Sequence, residues 1–337
     1  MDLELSIEDE IKDIKIGRPH VVILGAGASL AAFPNGDANG ISLLLMCDFI
    51  EKVGLEGDLS NFKIDFKGKN FEEIYSNLYE KEEYKDLIEI IETKTLKYFS
   101  RMKLPSKPTI YDHLVLSLRK KDIIATFNWD PFLFLACLRN HNHAELPHCV
   151  YLHGNVAIGY CLEHRLKGMS GCICSVCKKP YTPSRLLFPV LKKDYAKDSF
   201  IAAEWKTIRN HLKTAYMVTI FGYSAPKSDI EAIKLMKDAW GDVNERDLEE
   251  IEIIDIKDGD ELGKTWDQFN HTHHYRTCNN FYDSFIAKHP RRTCEAMWNQ
   301  LMECKFISDN DIPKDYNFTD LYNWFEPVIK FEAAKKE

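Results

Sequence analysis

Residues 20–29 read HVVILGAGAS. His20–Leu24 is a β-branched, apolar run, the pattern of a buried strand. It enters Gly25-Ala26-Gly27-Ala28-Ser29 directly. Two glycines one residue apart let the backbone turn sharply and approach a bulky neighbour with no Cβ in the way. A helix opening over Ser29–Ala32 would aim backbone N–H groups and the positive dipole end at a phosphate. A strand–GxG–helix start points to the head of a Rossmann-like sheet, with a plain tight turn as the alternative. The dehydrogenase fingerprint is incomplete, because its third glycine would fall at Leu30. Asp48 stands about 20 positions on, where that fingerprint has its acid, but inside the apolar-periodic run Ser42–Val53. Hydride transfer is therefore not the expected chemistry.

Further along, apolar residues at three and four spacing predict helices over Ser42–Val53, Phe71–Glu80, Tyr84–Ser100 and Thr109–Arg119. Gly54–Asn70 reads as a looser break. This helical block, about 41–119, is expected to be inserted between the first two strands. Residues 33–40 (FPNGDANG) are a loop by composition, lying over a ligand or simply on the surface. Ile7, Ile11 and Ile14 predict a short N-terminal helical segment over residues 1–16.

Later strands are expected at Asp122–Phe127, Cys149–Leu152, Leu186–Val190, Tyr216–Phe221 and Glu252–Ile256. Helices are expected over Phe132–Asn140, Phe200–Leu212 and Asp229–Trp240, with mostly helical, polar chain from Glu261. The first later strand ends in Asn128-Trp129-Asp130-Pro131, where Asp130 has an ordinary role as a helix N-cap before proline. The second ends in His153-Gly154, and a histidine there is expected in an exposed crevice, suited to proton transfer. Ligands of open α/β sheets bind beyond such strand ends. His271, His273 and His274 read as a solvated loop more readily than as a metal site.

Ten cysteines are present. Six (Cys47, Cys137, Cys149, Cys278, Cys294, Cys304) are scattered and read as reduced thiols. The others fall in CLEHRLKGMSGCICSVC, residues 161–177. Paired knuckles present two ligands from one turn, so Cys161, His164, Cys174 and Cys177 are the expected structural zinc ligands, with Cys172 as an alternate to His164.

The net charge of −8 and the lack of a long basic run argue against a broad nucleic-acid or anionic-membrane surface. The acidic start MDLELSIEDE is no signal peptide, and the apolar run Ile41–Met46 falls far short of the ~20 residues a membrane span needs. A cytoplasmic protein is expected.

Strand–GAGAS, strand–TFNWD, strand–HG, the cysteine knuckles, LLFP, strand–FGYS and strand–IID occur in that order over roughly residues 20–260. This order resembles the sirtuin family. The resemblance implies an α/β fold: a Rossmann-like, mainly parallel sheet with helices on both faces, the inserted helical block and a small zinc module. It implies a Rossmann-like part over 17–158 and 186–290, the zinc module over 159–185 and a C-terminal helical segment over 291–337. It implies NAD as the ligand, with Gly25, Ala26, Gly27, Ala28, Ser29, Thr126, Gly222, Ser224 and, less directly, Asp255 toward the dinucleotide. Asn128 and His153 match the family's catalytic Asn and His, and Asp130 matches its nicotinamide-pocket Asp.

The departures are specific. Where protein deacylases carry a G-I-P-D-F-R flap, this chain reads AAFPNGDANG, with no Arg. Where they carry the peptide-pairing F-G-E, it reads Phe188-Pro189-Val190, and proline donates no ladder hydrogen bond. The pattern is similar to the bacterial sirtuin-like NAD hydrolases of anti-phage defence. That resemblance implies cleavage of NAD to nicotinamide and ADP-ribose, a homo-oligomer, and restraint by a defence-system partner or phage trigger. The competing expectations are an NAD-dependent lysine deacylase and a non-catalytic sensor of NAD or ADP-ribose.

Overall fold

In the computed structural model, which describes residues 3–190, 194–242, 246, 250–267, 269 and 275–335, six strands form one parallel sheet. They are β1 (His20–Leu24), β2 (Ile123–Thr126), β3 (His148–Tyr151), β4 (Met217–Phe221), β5 (Glu250–Ile254) and β6 (Tyr275–Cys278). Every residue of β1, β2, β4 and β5 is buried. A parallel strand covered by helices on both faces is largely apolar, and the polar exceptions are paired: His20 with Thr219 and Thr293, and Glu252 with Thr219 and Phe285 N. The edge strands β3 and β6 are only partly buried.

The spatial order is β3-β2-β1-β4-β5-β6, the doubly wound Rossmann order. The order reverses between β1 and β4, and in open sheets of this kind ligands bind beyond the strand C-termini at that boundary. Register sets Leu24 level with Thr126 and Phe221, Thr126 level with Tyr151, and Phe221 level with Ile254. The residues just past each strand therefore emerge along one edge.

Helix Ser199–Thr214 packs on β2, β3 and helix Ile230–Trp240, while Ile110–Leu116 packs on Ala26–Ala32 and Phe132–Asn140. The inserted block is helical, but its start differs from expectation. Only Phe49–Val53 of the run Ser42–Val53 is helix. The carbonyls of Ser42 and Leu43 accept from Tyr98 Oη and Lys52 Nζ instead, and Asp48 accepts from Leu45 N at 2.7 Å, fixing a turn. Glu56–Asn61 adds a helix inside the expected break.

Leu186–Val190 is not a strand. Leu187 N donates to the His153 carbonyl at 2.9 Å, and Ser76 Oγ donates to the Pro189 carbonyl at 2.7 Å. Phe188 lies between Trp129 and Tyr75, at 4.8 and 4.9 Å between ring centroids. The apolar run is thus clamped under the helical block rather than paired in a ladder. β6 is a strand where polar helical chain was expected. His271, His273 and His274 lie outside the described residues.

The terminal segments close the opposite end of the sheet. Glu4–Leu5 pairs in parallel with Phe306–Ile307, and helix Ile7–Lys12 is capped by Ser6 with Asp9. Arg291 and Arg292 both hold Glu332 of helix Phe318–Ala334, at 2.5 and 2.6 Å. Arg292 also donates to the Ile11 carbonyl at 2.8 Å. No helix among the described residues is long and apolar enough to cross a membrane.

Candidate functional site

The first strand–turn–helix is built by close backbone contact. Gly25 N donates to the Phe221 carbonyl at 3.0 Å, and Gly27 N to the Gly222 carbonyl at 2.9 Å. A Cβ on Gly25 would stand 2.5 Å from Gly222 O, and one on Gly27 2.7 Å from Gly222 Cα. Gly222 adopts φ +61°, where a side chain is strained as well as blocked. The glycines just past β1 and β4 therefore exist in part for each other, letting the two turns meet backbone to backbone. The helix that follows is short, Ala26–Ala32, and opens earlier than expected.

Beside these turns lies a buried polar cluster. Asn128 Nδ2 donates to the Gly25 carbonyl at 2.8 Å and to Ser29 Oγ at 3.0 Å. Ser29 Oγ donates to Asp130 Oδ2 at 2.6 Å and shares a 2.7 Å contact with Tyr111 Oη. Asp130 is not the N-cap of Phe132–Asn140; Pro131 occupies that position. The Asp130 carboxylate still accepts from Phe132 N at 3.2 Å, so one of its oxygens serves the helix start and the other faces Ser29. Burial raises its pKa to about 6, against the lowering effect of the Ser29 and Phe132 hydrogen bonds. Burial likewise raises the Tyr111 hydroxyl, reinforced by Asp130.

His153 is buried, 6 % exposed, rather than open in a crevice. The Phe127 ring meets it edge-on at 4.7 Å and Tyr195 stacks alongside. Its Nε2 lies 3.1 Å from Tyr195 Oη and 3.7 Å from Asp229 Oδ1. Gly154 is required there: at φ +76° its Cβ would fall 1.9 Å from the Arg185 carbonyl oxygen. Asn155 ties this loop to the preceding one, donating to the Asp130 carbonyl at 2.6 Å. The structure thus joins Ser29, Asn128 and Asp130 directly and brings the His153 loop against them.

Thr126 supports the same turn, its Oγ1 accepting from Asn128 N at 3.0 Å. Ala26 is exposed and Ala28 buried in the first turn of the short helix. Ser224 is exposed past β4. Asp255 is half-buried past β5, its Oδ1 accepting from Lys257 N at 3.1 Å. The loop 33–40 is stitched by Asp37, which accepts from Ile41 N and Lys103 N, each at 2.7 Å. Tyr111, Tyr195, Asp229 and Asn155 were not expected as site residues. Tyr111 and Asp229 read as residues at helix starts, and nothing local marks their reach across the sheet.

In the small module, Ile158–Cys161 pairs antiparallel with Leu166–Met169 and Thr182–Pro183. Cys161, His164, Cys174 and Cys177 converge, with one ligand atom from each all within 4.8 Å of one another. Cys161 Sγ lies 3.5 Å from His164 Nδ1 and 3.7 Å from Cys177 Sγ, and Cys174 Sγ 3.7 Å from His164 Nδ1. Metal–ligand bonds of ~2.3 Å to sulfur and ~2.0 Å to nitrogen, set tetrahedrally, give edges of about this size. Each knuckle ends in a left-handed residue, Arg165 at φ 52° and Lys178 at φ 61°. The donor set fits a metal ion. Cys172 is exposed and outside this group.

No family model matches the chain, and no curated protein matches it. Among solved structures it is similar to a Sir2 homologue in complex with NAD, at 13% identity over 88% of this chain and 93% of that one, with a TM-score of 0.41. It is similar to a structure addressing the mechanism and regulation of Sir2 enzymes, at 14% identity over 98% and 100%, with a TM-score of 0.40. A Sir2–p53 peptide–NAD+ complex is similar at 14% identity over 88% and 96%, with a TM-score of 0.37. At this level of identity and superposition the likeness fixes no residue's role.

Proposed function

We propose that this chain is a sirtuin-like NAD glycohydrolase that releases nicotinamide and ADP-ribose. The observation that carries the reading is the buried Ser29–Asn128–Asp130 cluster beside the β1/β4 switch point, with the His153 loop tied to it through Asn155. Dinucleotides bind at such a switch point in doubly wound sheets.

Nicotinamide leaves as a neutral molecule, so its departure needs no proton. The demands are stabilisation of a ribosyl cation and delivery of water. Asn128 commits its amide nitrogen to Gly25 and Ser29, and in this reading its amide oxygen is the group that acts on the reacting ribose or water. Asp130 fixes the carboxamide, and His153 takes the proton from the attacking hydroxyl. Gly25, Ala26, Gly27, Ala28, Ser29, Thr126, Gly222 and Ser224 hold the dinucleotide, and Asp255 its far ribose. Zinc held by Cys161, His164, Cys174 and Cys177 organises the small module and takes no part in the reaction.

Hydrolysis is favoured over lysine deacylation by the Phe188-Pro189-Val190 segment. It is covered by the helical block, and its Pro189 carbonyl is already taken by Ser76. A peptide strand would have to displace both. The physiological role we propose, NAD depletion in anti-phage defence by a cytoplasmic homo-oligomer under a partner or phage trigger, rests on the sequence resemblance alone. So does the division into a Rossmann-like part, a zinc module and terminal segments.

The test is incubation of the protein with NAD alone, following nicotinamide and ADP-ribose by chromatography. Cleavage should proceed without peptide. His153→Ala and Asn128→Ala should each lose about 10²–10⁴-fold. Near-wild-type cleavage by either variant would refute the assignment. Nicotinamide release that depends on an acetylated peptide would favour the deacylase. Tight NAD binding with no turnover under any condition would favour a sensor.

A further inference from the structure

Asp229 faces His153 and has no part yet assigned. It stands at the start of helix Ile230–Trp240, past β4, and is 3 % exposed. Its Oδ2 accepts from Tyr223 Oη at 2.9 Å, and its Oδ1 faces His153 Nε2 at 3.7 Å. Tyr223 is itself fixed, its ring stacked on Phe127 at 4.2 Å with a 1° interplanar angle. Phe127 also meets the His153 ring edge-on. One aromatic thus aligns both the imidazole and the tyrosine that anchors the carboxylate.

Beside Asp229 in the chain, Ser228 Oγ and Glu231 Oε2 are buried with no hydrogen-bond partner among the described residues. Buried polar groups are ordinarily paired, and one left unpaired calls for an account such as strain, a catalytic role or an ordered water or ion. The turn that carries Asp229 therefore has the marks of a functional turn rather than a simple helix cap.

We infer that Asp229 is the positioning residue of His153: its carboxylate, anchored by Tyr223, holds the imidazole in place and stabilises the imidazolium formed when His153 takes a proton. The inference rests on the reading of His153 as the proton acceptor. In that step the attacking hydroxyl gives its proton to the imidazole while its oxygen forms the bond to the ribose anomeric carbon. The glycosidic carbon–nitrogen bond breaks, and its electron pair leaves with nicotinamide, neutralising the pyridinium. The proton later passes from His153 to solvent.

Tyr195 and Asp229 face His153 directly and Tyr223 reaches it through Asp229, while Glu231 on the Asp229 helix acts on Tyr195 and Glu72 on helix Phe71–Tyr79 acts on Tyr223. An Asp229 oxygen comes within 4 Å of the ring. An opposite charge at that range favours the charged imidazole, by about one to three pH units as a rule.

The experiment is a pH titration of the histidine ring signals by NMR on uniformly ¹⁵N-histidine-labelled full chain without NAD, with His153 assigned from His153→Ala. The His153 midpoint should fall by about one pH unit in Asp229→Asn and return in Asp229→Glu. An unchanged midpoint in Asp229→Asn overturns the inference. Should Asp229→Asn not fold, Asp229→Ser, which also removes the charge, is read in the same way: a fall supports the coupling and an unchanged midpoint overturns it. The midpoint is measured without turnover, whereas nicotinamide release by wild type and His153→Ala tests the hydrolase reading. The failure of one is therefore distinguishable from the failure of the other.

Discussion

Gly27 and Gly222 meet backbone to backbone, the Gly27 amide donating to the Gly222 carbonyl at 2.9 Å across the boundary where the strand order reverses. A methyl group on Gly222 would fall 2.2 Å from Ala28 N, and its φ of +61° adds left-handed strain. Gly222→Ala should therefore cost at least about 3 kcal/mol, combining overpacking with the strain of that conformation. Chemical denaturation of the variant against wild type measures this directly. A loss below about 1 kcal/mol would mean the two turns can separate freely.

Asp130 ties the proposed nicotinamide pocket to pH. Its folded pKa, about 6, lies above the ordinary 3.8 because burial penalises the charge. The folded state therefore holds this proton more tightly than the unfolded chain. The resulting stability is complete below about pH 4 and is lost as pH rises through about 6, a change on the order of 3 kcal/mol. Asp130→Asn removes the ionisation. It should raise the melting temperature at pH 8 relative to wild type by more than at pH 4, while lowering NAD cleavage. Equal melting shifts at the two pH values would show that Asp130 does not titrate in this range.

His20 has the opposite sign. Burial holds its pKa down to about 3, with both ring nitrogens occupied by Thr293 and Thr219 at 2.9 and 2.8 Å. The unfolded chain binds this proton below about pH 6.5 and the folded one does not. Stability from His20 is present above that pH and is lost as pH falls toward 3. A variant such as His20→Asn should show a flatter loss of stability between pH 6.5 and 4, read from denaturation midpoints across that interval.

The small module makes a prediction that separates neighbouring cysteines. Cys174→Ser should abolish stoichiometric metal and destabilise the module, because Cys174 is buried within the converged group. Cys172→Ser should leave metal content unchanged. Elemental analysis of the two purified variants decides it. Metal lost from Cys172→Ser and retained by Cys174→Ser would reverse the ligand assignment.

At the far end of the sheet, Glu332 answers two arginines whose side chains are almost wholly buried. Arg291 further donates to the Leu116 and Leu118 carbonyls at 3.1 and 2.9 Å. Glu332→Gln leaves two buried cations short of a counter-charge and should cost about 3–5 kcal/mol. Loss of less than about 1 kcal/mol, measured by denaturant titration, would place this pair among the weak surface bridges.

The parts of this architecture that are legible in the sequence are those dictated by burial on two faces. β1, β2 and β4 are near-continuous apolar runs, and β5, though it carries the buried Glu250 and Glu252, keeps its isoleucines; register then places whatever follows them on one edge. β6 was invisible because an edge strand such as Tyr-Arg-Thr-Cys carries no such run. Leu186–Val190 misleads for the converse reason: its apolar side chains serve a clamp under Tyr75 and Trp129 rather than a ladder. Of the candidate site, Ser29, Asn128 and Asp130 announce themselves as turn residues past strands. Tyr111, Tyr195 and Asp229 act across the fold and read locally as helix or loop residues.

The β1 strand is flanked by partners that are synthesised much later, and His20 touches Thr219, 199 positions further on. Loop closure over such distances slows folding, so the site cannot preassemble on a nascent chain that has only its first half. The glycine contact forms only once β4 has emerged and docked. On the hydrolase reading proposed above, the chain would thereby remain inert throughout most of its own translation.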